Sequence, residues 1–187
     1  MAERCDRCHL HLDTCVCALV QPLETSTRLV LLLHAREAKK PSNTGSLARL
    51  IITNSELHVR GLPGEAPALD HLRAQNAVVL YPSDDATELA PGPKLLIVPD
   101  GSWRQASKMP RREPALRDLP RVKLPPLPAS ALRLREETKD NGFATLVAIA
   151  HAMGVMEGAH VRDALLALHD LVAARTLAAR GRASAGR

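Results

Sequence analysis

A chain of 187 residues, 45% of them hydrophobic, is long enough for one well-buried domain and short for two. Lys and Arg outnumber Asp and Glu by 25 to 20, and the formal charge of +5 permits a polyanionic partner without requiring one. A single Trp, Tyr and Phe exclude an extended aromatic platform for nucleic acid; no apolar run approaches the roughly 20 residues that span a bilayer, and none follows the start as in a signal peptide, so the chain reads as cytoplasmic, with no membrane partner.

All four cysteines lie at the beginning, as Cys5, Cys8, Cys15 and Cys17 in a C-x2-C-x6-C-x-C spacing. Two close pairs that fold back on one another can offer four thiolates to a structural zinc ion, and a full shell would leave no open position for catalysis. Redox pairing and free thiols are the alternatives. Residues 1–25 read as a small cysteine knuckle, an appendage with too little apolar material for a core of its own.

Leu29 to Leu33 has the continuous apolar character of a central parallel strand. It ends at His34, and polar groups gather just beyond it: Arg36, Glu37, Lys39, Lys40, Ser42, Asn43 and Thr44. Pro41 keeps this loop out of a regular helix, after which Asn43 or Thr44 can cap a helix from Gly45 to about Thr53. The cations either form a solvated loop or contact phosphates beside that helix start. Leu57 to Arg60 reads as a short edge strand and Ala77 to Tyr81 as a second clear strand, closed by Tyr81-Pro82 and followed by Asp84 and Asp85, which read as solvated.

Leu95 to Pro99 is a strand of the kind buried on both faces, and Asp100, Gly101, Ser102 and Trp103 follow it at once. In a parallel α/β sheet that is the carboxyl edge, where ligands bind. Gly101 permits a close approach, Ser102 can cap the following short helix, and Asp100 sits where chemistry is usually placed. The plainer alternative makes Asp100 and Ser102 caps and Trp103 core. Neither G-x-G-x-x-G nor a Walker sequence occurs at any strand end, which withdraws support from a conventional dinucleotide fold or P-loop.

Beyond it, Lys108, Arg111, Arg112, Arg117, Arg121 and Lys123 make a dense basic stretch suited to a nucleic-acid backbone, or else an ordinary solvated face. Val122 to Leu124 and Leu132 to Leu134 read as short strands. Thr145 opens a helix with Leu146, Ile149, Ala150 and Met153 inward, a second helix spans about Ala159 to Ala174, and residues 175–187, with four arginines and no acid, read as a basic flexible tail. The expected fold is α/β, a mostly parallel sheet with flanking helices over residues 26–174. Nothing in the sequence speaks to oligomeric state.

Taken together, CDRCHLHLDTCVC, HAREAKKPSNTG, YP, LLIVPDGSWRQASKM and SALRLREETKDNGFATLVAIAHAM resemble the DTW-domain family, the tRNA-uridine aminocarboxypropyltransferases, over nearly the whole chain and in the family's order. Asp100-Gly101-Ser102-Trp103 matches the family's Asp-Gly-Thr-Trp version with Ser for Thr. The resemblance implies a SPOUT-like domain, knotted or not, with S-adenosylmethionine as donor and tRNA as partner. The implied reaction moves the donor's 3-amino-3-carboxypropyl group to N3 of a uridine and releases 5'-methylthioadenosine. On that reading Asp100 is catalytic; Tyr81, Pro82, Val98, Gly101, Ser102, Trp103 and Thr145 hold the donor; and His34, Arg36, Glu37, Lys39, Asn43, Thr44, Arg111 and Arg112 face the RNA. One departure stands out: where the family has Ser-Thr-x-Glu-Ala, this chain has Ala144-Thr145-Leu146-Val147-Ala148, and Val147 cannot replace a carboxylate. A methyltransferase using the same donor and RNA, or a non-catalytic zinc-containing tRNA-binding module, are the competing functions.

Overall fold

A computed structural model describes residues 3–38, 40, 43–64, 68–73, 76–125 and 145–185. The strand expected at Leu29 to Leu33 is β1, Arg28–His34, with its five central residues buried. It is joined by β2 (Ser55–Arg60), β3 (Ala77–Leu80), β4 (Thr87–Glu88), β5 (Leu95–Asp100) and β6 (Arg121–Lys123). These six strands pair parallel to one another, in the order β2-β1-β5-β3-β6-β4. Thr87–Glu88 is too short and polar to show as a strand in sequence, while Leu132 to Leu134 lies outside the described residues.

Alternation along the strands divides the core into two layers. Leu29, Leu31, Leu96 and Val98 face one side, where the 3-10 turn Gly45–Leu50 and the long C-terminal helices cover them. Val30, Leu32, Leu95 and Ile97 face the other, beneath shorter segments carrying Leu72, Met109 and Leu116. Strands covered on both faces need no polar side, which is why β1 and β5 read as unbroken apolar runs.

The helices are α1 (Ala35–Ala38), α2 (Trp103–Ala106), α3 (Met109–Arg112), α4 (Thr145–Glu157) and α5 (Ala159–Ala185). Gly158, at φ +107°, turns the chain between α4 and α5, a backbone region that disfavours other residues. Four expectations are corrected. The loop after β1 contains one helical turn, α1. The helix expected from Gly45 to Thr53 is a 3-10 turn that stops at Leu50, because Ile52 must be extended to pair with Leu23. Residues 175–185 continue α5 instead of forming a flexible tail; their Ala, Arg and Leu are strong helix formers, and the Arg175 guanidinium donates to the Cys15 carbonyl. The cysteine knuckle is not an appendage, since Val16 is fully buried and Cys8 nearly so within the main core. No helix among the described residues is long and apolar enough to cross a membrane.

Candidate active site and metal centre

The three central strands end together. Leu33 of β1 pairs with Asp100 of β5, and β3 pairs along β5's other edge, so His34, Asp100 and Tyr81 mark adjacent strand ends. Asp100 is 5% exposed. Its Oδ1 accepts a hydrogen bond from the Thr145 hydroxyl at 2.7 Å, and its Oδ2 accepts one from the Asn43 amide at 2.8 Å. One carboxylate thus joins the loop after β1, the end of β5 and the first turn of α4. Burial pushes its pKa above the ordinary aspartate value; the Thr145 and Asn43 bonds oppose that rise, and the nearby charge of Glu37 adds to it. The second amide atom, Asn43 Oδ1, is buried without a hydrogen-bond partner among the described residues. It is an acceptor beside a carboxylate, and such groups carry a cost until a donor arrives.

Two glycines make this arrangement fit. A Cβ on Gly45 would lie 2.5 Å from Asp100 Oδ2 and 2.9 Å from Thr145 Cγ2; one on Gly101 would meet Gln105 Cβ at 3.0 Å and His34 Cβ at 3.3 Å. Gly45 is a site residue that sequence reasoning did not single out, since its requirement comes from two segments remote in the chain. Asn43 and Thr44 do not cap the Gly45 turn with their side chains; Asn43 is committed to Asp100 instead.

Ser102 does cap α2, forming a capping box in which its backbone N–H donates to the Gln105 side chain at 2.7 Å. Trp103 is not core: it is 51% exposed and meets Tyr81 edge to face, with ring centroids 6.3 Å apart. Pro82 is exposed beside this pair, whereas Val98 is buried in the core and presents no side chain to the surface. The strand end therefore carries a buried carboxylate, an unmatched amide oxygen and an exposed Trp103 ring set against the half-buried Tyr81.

The basic residues divide. Arg36, Arg111 and Arg112 are exposed and make no ion pair among the described residues, whereas Arg121 binds Asp85 at 2.8 Å, which draws that acid out of the purely solvated role expected for it. The Arg36 backbone N–H donates to His34 Nδ1 at 3.2 Å, and Glu37 pairs with Lys40 at 2.7 Å. Thr44 is half-buried at the entry to the Gly45 turn. Lys39 lies outside the described residues.

At the other end of the chain, the four thiol sulfurs all lie within 4.8 Å of one another, with Cys5 to Cys17 at 3.8 Å and Cys8 to Cys15 at 3.7 Å, and none forms a disulfide. Zinc–sulfur bonds of about 2.3 Å in a tetrahedron put sulfurs about 3.8 Å apart, so the cage has the right size for such an ion. Backbone N–H groups of Cys8 and Arg7 draw the Cys5 thiol down to about 6, while burial pushes those of Cys8 and Cys17 up. Four sulfurs so placed cannot all ionise without a cation among them.

A protein tRNA-uridine aminocarboxypropyltransferase 2 from Drosophila melanogaster is 29% identical over 168 residues, covering 83% of this chain and 67% of the relative. A protein of the same name from Macaca fascicularis is 25% identical over 177 residues, covering 87% of this chain and 59% of its own length. No solved structure gives a significant match. The DTW-domain family model matches residues 2–177, from the cysteine knuckle through the buried Asp100 and into α5. This chain belongs to the DTW-domain family.

Proposed function

We propose that the protein transfers the 3-amino-3-carboxypropyl group of S-adenosylmethionine to N3 of a tRNA uridine, releasing 5'-methylthioadenosine, on a domain related to the SPOUT enzymes. The observation that carries the reading is that the Asp-Gly-Ser-Trp stretch falls where the three central strands end, within a family match spanning residues 2–177. The two relatives bear the name of this activity.

The donor supplies a sulfonium, which makes its methionyl Cγ electrophilic. For transfer at that carbon, the N3–Cγ bond forms as the Cγ–S bond breaks, the sulfur keeps the electron pair, and the N3 proton must leave. The residues at the strand end match these needs. The exposed Trp103 ring, set edge to face against the half-buried Tyr81, offers an apolar face for an adenosyl group or a base. Asn43 Oδ1 is an acceptor awaiting an N–H or O–H donor. Asp100 takes or orients the N3 proton: burial has raised its basicity, which suits a proton acceptor, and Thr145 and Asn43 hold its position. Positioning of two substrates over the strand end supplies much of the remaining rate.

The exposed Arg36, Arg111 and Arg112, with Lys39, form the phosphate-binding surface in this reading, and His34, Glu37 and Thr44 line the RNA side of the loop. The four cysteines hold one structural zinc. Incubation with labelled donor and total tRNA, followed by mass spectrometry of the by-product, tests the function. Methylthioadenosine together with aminocarboxypropyl-uridine supports it. Adenosylhomocysteine would instead identify a methyltransferase, and tRNA binding without donor consumption a binding module.

A further inference from the structure

A second group of metal-ligating side chains lies away from both the cysteines and Asp100. Glu56 and His58 alternate on the edge strand β2, so their side chains project to the same face, and His71 comes from the 3-10 turn Asp70–Leu72 beside it. One ligating atom from each of the three lies within 4.8 Å of the others. His58 Nε2 is 2.8 Å and His71 Nε2 3.4 Å from the same carboxylate oxygen, Glu56 Oε2. Glu56 Oε1 is taken by Arg28, which leaves Oε2 turned toward the two imidazoles.

We propose that Glu56, His58 and His71 form a second metal site, taking a borderline divalent transition ion such as Zn2+ or Co2+ through two imidazole nitrogens and one carboxylate oxygen. Two imidazoles with one carboxylate is a donor set suited to such ions, and metal–ligand distances of about 2.0–2.2 Å put ligand atoms about 3–3.5 Å apart, close to the separations found here. Arg28 acts as the outer partner that fixes the carboxylate. The other nearby cation, Arg60, is neutralised by Glu113 at 3.0 Å. His71, nearly half exposed, leaves the remaining positions of the ion open to water. Bound there, an ion would tie the edge strand to the turn that carries the buried Leu69 and Leu72.

The test is a Co2+ titration of the purified full chain with whatever metal its cysteines already hold. The site predicts one saturable equivalent with weak nitrogen/oxygen-type visible bands and no thiolate charge transfer, with paramagnetic perturbation of the His58 and His71 ring signals but not those of His151 or His160. His71→Ala, a change at an exposed ring, should weaken this equivalent roughly tenfold or more, because even an outer partner of a metal ligand is worth about 10- to 100-fold; His58→Asn should do the same. No saturable nitrogen/oxygen-type binding, or binding of unchanged strength in His71→Ala, would overturn the site. Cobalt entering only with thiolate charge transfer would overturn it as well.

Discussion

At the scale of single residues, the strand end is built around a carboxylate that the fold holds at a cost. Asp100 is buried among uncharged donors and its pKa is raised, so the folded state binds its proton more tightly than the unfolded chain does. The sign follows: its contribution to stability is largest below the ordinary aspartate pKa of about 3.9 and is lost as pH rises through the higher folded value. Asp100→Asn removes that loss. Its amide can still accept from Thr145, and a flip of Asn43 would turn the unmatched Oδ1 toward the new NH2. The variant should therefore melt at the same temperature as the parent or higher at neutral pH, its advantage shrinking in acid; calorimetry across pH checks this. Gly45→Ala behaves oppositely. With its Cβ only 2.5 Å from Asp100 Oδ2, it should cost about 1–3 kcal/mol by overpacking and displace the carboxylate, lowering transfer activity more than stability. Asp100 was legible in the sequence from its place after an apolar strand. Gly45 and the Asn43 bond were not, because the reason for each lies more than fifty residues along the chain.

At the scale of elements, β1 and β5 announced themselves because strands covered on both faces carry no polar residues. The ends of helices were less legible. An alanine- and arginine-rich segment reads as a tail by local pattern, although the same residues favour helix and Arg175 finds a partner on the knuckle. The Gly45 segment reads as a longer helix by local pattern, and its early end comes from the pairing of Ile52 with Leu23, a contact that local pattern does not contain. One helix end carries a prediction. Glu157, the last residue of α4, accepts from the Ser26 hydroxyl at 2.8 Å and from the Thr27 N–H at 2.6 Å, joining α4 to the entry of β1. Burial alone would raise its pKa, but the Thr27 and Ser26 bonds outweigh it and hold the carboxyl below its ordinary value. That stabilisation is present above the ordinary glutamate pKa of about 4.3 and is lost as pH falls through the lower folded value. Glu157→Ala should cost about 1 kcal/mol near pH 7, the small size reflecting the group's exposure to solvent, and less in acid; denaturant unfolding at two pH values reads the difference.

For the whole molecule, the knuckle and the C-terminal helices share one core, since Cys8 and Val16 pack with residues of α4 and α5. Elemental analysis should find zinc at the four cysteines, and its removal should lower protection of α5 backbone amides as well as residues 1–25. A knuckle independent of the domain would leave α5 unchanged. RNA affinity should fall steeply with added salt, and Arg111→Ala with Arg112→Ala should weaken binding to many tRNAs alike, as phosphate contacts do. In the proposed function, this domain performs the transfer at Asp100. It is tested most directly by single-turnover transfer to tRNA in Asp100→Asn, with donor affinity measured separately. The account predicts a folded, zinc-containing variant that binds the donor and transfers about 100-fold more slowly or worse, as loss of a proton acceptor would. A rate within a few-fold of the parent, or one fully restored by saturating donor, would contradict it.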